Sequence, residues 1–120
     1  MYTAYVLTDK TINKLKELFN QDYPDFIGHH ITVDFGVLKD HPLPPETDDI
    51  VVMGVASENG VQALLVAING NVERSDGSLY HITWSLDKSK GKRPVDSNGI
   101  IRKAKSVQPV KIKAKPELLK

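Results

Sequence analysis

The chain's 120 residues, 40% apolar and 26% charged, suit a single globular domain and exclude disorder from end to end. No apolar stretch approaches the roughly 20 residues of a spanning helix. Cysteine is absent, which excludes disulfides, thiolate zinc sites and a cysteine nucleophile, and Met1 is followed by no basic-then-apolar leader, so the cytoplasm is the expected compartment. The formal charge of +1 divides into 5 Lys/Arg against 13 Asp/Glu over residues 1–87 (−8) and 11 against 2 over residues 88–120 (+9). Either an anionic partner meets the basic end, or the two parts neutralise each other across a shared sheet, with Lys111, Lys113 and Lys115 guarding an edge strand.

Tyr2–Thr8 is aromatic and β-branched and predicts a strand. From Asp9 the period changes: Ile12, Leu15, Leu18 and Phe19 recur at three- and four-residue steps, predicting an amphipathic helix capped by Thr8 or Asp9 and ended near Asp22 and Pro24. A turn through residues 23–28 leads into the alternating run His30–Phe35, and Pro42, Pro44 and Pro45 then stiffen a loop. Residues 49–57 and 61–69 flank Asn59-Gly60, the dipeptide of a tight type I′ hairpin turn. Leu79–Leu86 alternates as a strand, residues 87–91 form a basic loop, and residues 94–103 predict a short helix. Val107–Lys115 predicts a last strand, which Pro109 pushes to an edge. The expected fold is α+β: one domain over residues 1–120, mainly antiparallel, with one long N-terminal helix and a short later helix.

One tripeptide occurs twice. His30-Ile31-Thr32 and His81-Ile82-Thr83 stand 51 positions apart, each inside a predicted strand. Period two puts His30, Thr32 and Asp34 on one face of the first strand, with Ile31, Val33 and Phe35 on the other. In the second, His81, Thr83 and Ser85 oppose Tyr80, Ile82, Trp84 and Leu86. Each strand thus buries an apolar face and presents a His-Thr pair opposite. Two histidines and two hydroxyls suit phosphodiester cleavage without a metal. One neutral imidazole takes a proton from the attacking hydroxyl or water, and the other, protonated, gives one to the leaving oxygen. The threonines donate hydrogen bonds to non-bridging phosphate oxygens. The plainer alternative is a pair of half-exposed strand surfaces.

Paired His-x-Thr motifs on two strands resemble the signature of the two-histidine (2H) phosphoesterases. The stretches Gly28-His29-His30-Ile31-Thr32-Val33 and Tyr80-His81-Ile82-Thr83-Trp84-Ser85-Leu86 are similar to its two parts. Residues 91–98, Gly-Lys-Arg-Pro-Val-Asp-Ser-Asn, resemble a loop of short, often phage-encoded, RNA-repair-type relatives. The resemblance implies a two-lobed fold with approximate twofold symmetry and a central cleft lined by the motif strands. It implies His30 and His81 as the acid–base pair, in either order, and Thr32 and Thr83 as the phosphate holders. A chain this short implies trimmed lobes and an open cleft. The substrate expected from the resemblance is RNA-like: a 2′,3′-cyclic phosphate end, a 2′-5′ linkage or a cyclic (oligo)nucleotide, the last making the protein a viral counter-defence enzyme. The competing class is a module that binds RNA or a nucleotide without turning it over.

Further residues are weighed around this pair. Lys90, Lys92 and Arg93 follow the second motif strand closely enough to reach phosphates flanking the scissile one; a solvated basic loop is the alternative. Tyr23 and Phe26 precede the first motif and can stack a base at the cleft mouth or plug the loop from beneath. His29 is expected to point away from His30 by strand alternation, and His41 has no evident partner. The histidines and Asp34 show no metal-ligand spacing, so no metal and no cofactor is expected. No membrane contact and no obligatory protein partner is expected either, and oligomeric state is not legible.

Overall fold

In the computed structural model, which describes residues 1–120, the chain opens with strand β1 (Tyr2–Leu7) and helix α1 (Asp9–Leu18). Thr8 separates them: its backbone is extended and its hydroxyl accepts from the Thr11 amide at 3.2 Å, satisfying one of the helix's orphan donors. Leu15 is fully buried and Ile12 packs against the same core, whereas Leu18 is 55% exposed. The helix therefore stops short of the expected Asp22. The reason is a side chain from the sheet: the Gln62 amide donates to Asn20 O, and its Oε1 accepts from the Asp22 amide, replacing helical hydrogen bonds there.

Strands β2 (Asp25–Phe26), β3 (His30–Phe35), β4 (Ile50–Glu58), β5 (Val61–Ile68) and β6 (His81–Leu86) follow, then 3₁₀ turns Lys88–Lys90, Pro94–Gly99 and Ile101–Lys103, and strands β7 (Lys105–Ile112) and β8 (Ala114–Leu119). Two expectations need correction. The short helix over residues 94–103 is a pair of 3₁₀ turns, and the final strand over residues 107–115 is two strands that part at Lys113. The hairpin matches its dipeptide: Asn59 and Gly60 hold φ of 51° and 82°, the two positive values that a type I′ turn requires, and Glu58 pairs with Val61.

All strand pairs are antiparallel, in the order β7-β4-β5-β6-β3-β1-β8, with β2 attached to β6. The fold is α+β with few helices and one sheet, continuous from rim to rim. β7 and β8 lie at opposite rims although Lys113 alone separates them in sequence, so the sheet curls into a half-barrel until its rims approach. Thr11 clamps that corner: its hydroxyl donates to Lys113 O and accepts from the Lys113 amide, each at 3.0 Å. Pro109 and Pro116 fall in these two rim strands, where proline is tolerated, and the lysines there discourage further strand addition. No helix is long and apolar enough to cross a membrane.

Two apolar clusters cover the two faces of β5. Leu64, Val66 and Ile68 join the larger one with Leu15 of α1, Tyr5, Ile31, Ile82 and Trp84, while Val61 and Ala63 join Ala56, Leu86, Ile100 and Ile101 under the 3₁₀ turns. The β5–β6 register passes from Gln62↔Ser85 to Ala63↔Thr83 and skips Trp84. That bulge reverses the parity of β6. Trp84 is buried as expected, but Leu86 crosses to the second cluster. Ser85 leaves the His81–Thr83 face to donate to Gln62 Oε1 at 2.5 Å.

Candidate active site

The two tripeptides meet in the middle of the sheet. β3 and β6 pair at one register position, Ile31↔Ile82, the central residues of the two copies, and both isoleucines are fully buried on the α1 side. Carrying the register one residue either way sets His30 across from Thr83, and Thr32 across from His81. Alternation puts all four on the opposite face. There they line one cleft of about 350 Å³ with Tyr2, Phe35, Arg74, Asp76, Pro94, Val95 and Asn98. The sequence-predicted quartet is therefore brought together.

The two histidines differ in what holds them. His81 Nδ1 lies 2.9 Å from the Leu79 carbonyl; a carbonyl only accepts, so Nδ1 carries the hydrogen and neutral His81 has a lone pair at Nε2. His30 Nδ1 instead meets His29 Nδ1 at 3.0 Å. Burial, followed by the imidazoles of His29 and His81, lowers the pKa of His30 from 6.5 to about 4. Burial also lowers His81, opposed by its bond to Leu79 and reinforced by the Arg74 charge. Both rings are therefore neutral near pH 7.

The hydroxyls differ too. Thr83 Oγ1 lies 2.8 Å from Ser97 Oγ and donates to Pro94 O at 3.3 Å, tying β6 to the 3₁₀ turn that walls the cleft, whereas the half-buried Thr32 hydroxyl has no protein partner. Arg74 supplies the cleft's positive charge. Its side chain is 8% exposed and is gripped at two points by Asp76, Nε to Oδ1 at 3.2 Å and Nη2 to Oδ2 at 2.9 Å. The Arg74 hydrogen bonds, with the Ser78 amide, hold Asp76 down at about 2. At the cleft mouth Phe35 is 77% exposed. Tyr2 stacks on it at 6.0 Å and 23° and touches His30 at 5.3 Å.

Other sequence-predicted residues lie elsewhere. Phe26 meets Trp84 edge-on at 4.8 Å under the Lys16 ammonium, and the Tyr23 amide donates to Ser85 Oγ. Phe26 plugs the loop from beneath, neither residue lines the cleft, and the aromatic side chains there are Tyr2 and Phe35. Lys92 lies over the Asn59-Gly60 turn, Lys90 faces Asp87 at 3.9 Å, and the Arg93 amide caps the turn at 94–99 by donating to Asp96 Oδ2. None of the three lines the cleft, although their neighbours Pro94 and Val95 do. His41, expected to be unpartnered, faces Asp34 Oδ2 at 3.3 Å. His29, expected to point away, does not, because β3 begins only at His30. Sequence reasoning missed Arg74, Tyr2 and Phe35; the one available signal was that Arg74 is the sole arginine among residues 1–87. No group of three or more His, Asp or Glu side chains is arranged to hold a metal ion. No family model, no curated protein and no solved structure matches this chain.

Proposed function

We propose that this protein is a phosphodiesterase of the two-histidine kind, cleaving RNA-like phosphodiesters by acid–base catalysis without a metal. The observation that carries the reading is the convergence of two identical His-Ile-Thr copies about Ile31↔Ile82 in one cleft. The β3–β6 seam, paired at a single register position between β8-β1-β3 and β7-β4-β5-β6, supports a two-lobed reading of the one continuous sheet. The charge of a phosphodiester anion in the cleft favours the protonated form of both imidazoles, and at His81 it also offsets the Arg74 charge, which moves them towards the range where they exchange protons near neutrality. His30, kept neutral by burial and the neighbouring imidazoles, is the base, and its Nε2 takes the proton of the attacking hydroxyl or water as the new O–P bond forms. His81, whose cation the Leu79 carbonyl supports, is the acid. Its Nε2–H protonates the leaving oxygen as the old P–O bond breaks. Thr32 and Arg74 bind non-bridging oxygens, Arg74 by a two-point fork once it turns from Asp76. Tyr2 and Phe35 offer a base a stacking face, an arrangement worth about 1–3 kcal/mol per base in single-strand binding.

The test is a panel of nucleoside 2′,3′-cyclic phosphates, 2′-5′-linked dinucleotides and cyclic oligonucleotides, assayed in excess chelator. Turnover of at least one class is expected, with His30→Ala and His81→Ala each losing about 10²–10⁴-fold at unchanged far-UV circular dichroism. Near-wild-type rates in both variants would overturn the assignment. Tight binding without turnover would make the protein a nucleotide-binding module, and activity that a divalent ion restores after chelation would place the chemistry on a metal.

A further inference from the structure

His29 stands outside the acid–base pair, yet its ring meets that of His30 edge to face. The centroids are 5.2 Å apart at 78°, and the Nδ1 atoms lie 3.0 Å from each other. The segment is held from both sides: the Leu7 amide donates to His29 O at 2.9 Å, and the Gly28 amide donates to Thr83 O at 3.0 Å. A nitrogen–nitrogen contact of this length is a hydrogen bond only if one ring brings the hydrogen and the other the lone pair. The two choices have opposite consequences. If His30 donates from Nδ1, its Nε2 is a lone pair able to take a proton. If it accepts at Nδ1, Nε2 carries the hydrogen and His30 cannot be a base. At His81 a backbone carbonyl decides the matter; at His30 that place is taken by the imidazole of His29.

We propose that His29 is the positioning residue of His30: neutral His29 accepts the His30 Nδ1–H and keeps Nε2 unprotonated towards the cleft. The assignment of Nε2 as a base rests on the two-histidine reading above. The groups facing the pair are His81 from β6, Tyr2 from β1, and Arg74 and Asp76 from the loop before β6. The hydrogen bond to His29 is the one the His30 ring makes. A proton on His30 ends its basicity directly.

Imidazole nitrogen NMR on the full chain, with kcat/KM followed against pH on the best substrate of the panel, tests this in wild type, His29→Asn and His29→Ala. Asparagine sets an amide oxygen where Nδ1 stood, as an acceptor that does not titrate. The expected wild-type spectrum shows His30 hydrogenated at Nδ1, and this preference weakens in His29→Ala. His29→Ala loses on the order of 10–100-fold in plateau rate, the range of partners that orient an imidazole, and His29→Asn restores most of it. A wild-type His30 hydrogenated at Nε2 overturns the proposal, and so does a plateau rate that His29→Ala leaves unchanged or that His29→Asn fails to restore. Failure of the two-histidine reading looks different: wild type would turn over nothing in the panel, while the tautomer measurement still decides the role of His29.

Discussion

Thr32 and Thr83 occupy the same place in two copies of one tripeptide, but their hydroxyls face different surroundings. Thr83 is buried and shares a hydrogen bond with Ser97, which is fully buried, so Thr83→Val keeps the shape and strands Ser97. The expected cost is about 1–3 kcal/mol, that of an unpaired buried polar group. Thr32→Val leaves no protein group unpaired and is expected to cost less than about 0.5 kcal/mol. Urea denaturation of both variants measures the difference, and equal losses would contradict the asymmetry. The motif was legible in the sequence because alternation alone puts histidine and threonine on one face. The asymmetry was not, since the partners of Thr83 lie 11 and 14 residues downstream on a turn with no periodic signal. Arg74, Tyr2 and Phe35 escaped for the same reason. A loop and a strand end carry them into the cleft, and Phe35 is largely exposed despite an alternation that assigns it to the apolar face.

The segment before β3 shows how a short element can matter more than its length suggests. β2 has two residues, too few for any period to register, yet it pairs with the far end of β6 and sets Phe26 against Trp84. The chain then turns at Gly28 with φ of +42°, directly over the Phe26 ring; a Cβ there would lie 2.1 Å from Phe26 Cζ. Gly28→Ala therefore incurs left-handed strain of about 1–2 kcal/mol and must also expel the ring. Its expected loss is roughly 3 kcal/mol or more, and combining it with Phe26→Ala should relieve part of that. A double-mutant cycle by thermal unfolding reads the coupling; strict additivity would show that ring and glycine do not meet. The long strands and the hairpin were legible because apolar alternation and Asn59-Gly60 are local signals. The bulge at Trp84 and the corner at Lys113 were not. A bulge leaves the sequence pattern unbroken, and the corner is imposed by Thr11, 102 residues away.

Over the whole molecule, the charge division of the sequence becomes a spatial one. β7, with Lys105 and Lys111, and β8, with Lys115, flank β4 and β1 at the two rims, where the lysines guard the edges, and Lys103 pairs with Glu58 of the acidic segment at 2.9 Å. The cleft takes its cation from Arg74 in the acidic segment. The cleft histidines also make stability depend on pH. Both are lowered in the folded state, so below pH 6.5 the unfolded chain binds more protons than the folded one. Their contribution is complete above pH 6.5, and for His30 it is lost as pH falls towards about 4. Urea midpoints measured from pH 7 to pH 4 are expected to fall, with a shallower slope in His30→Asn. An unchanged slope in that variant would deny His30 its depressed pKa.

The corner at Lys113 also orders events in time. Tyr2 pairs with Leu119, and Ile50 with Ile112, so each rim of the sheet is completed only by strands synthesised after the other six. Until those residues leave the ribosome, β1 and β4 each have an unoccupied edge, and α1 lacks the Lys113 peptide that Thr11 grips. Such long sequence separations make closure slow and leave strand edges open to wrong partners in the interval. The nascent sheet therefore meets its greatest risk of misassociation just before β8 pairs, and a translational pause ahead of residue 105 would prolong it.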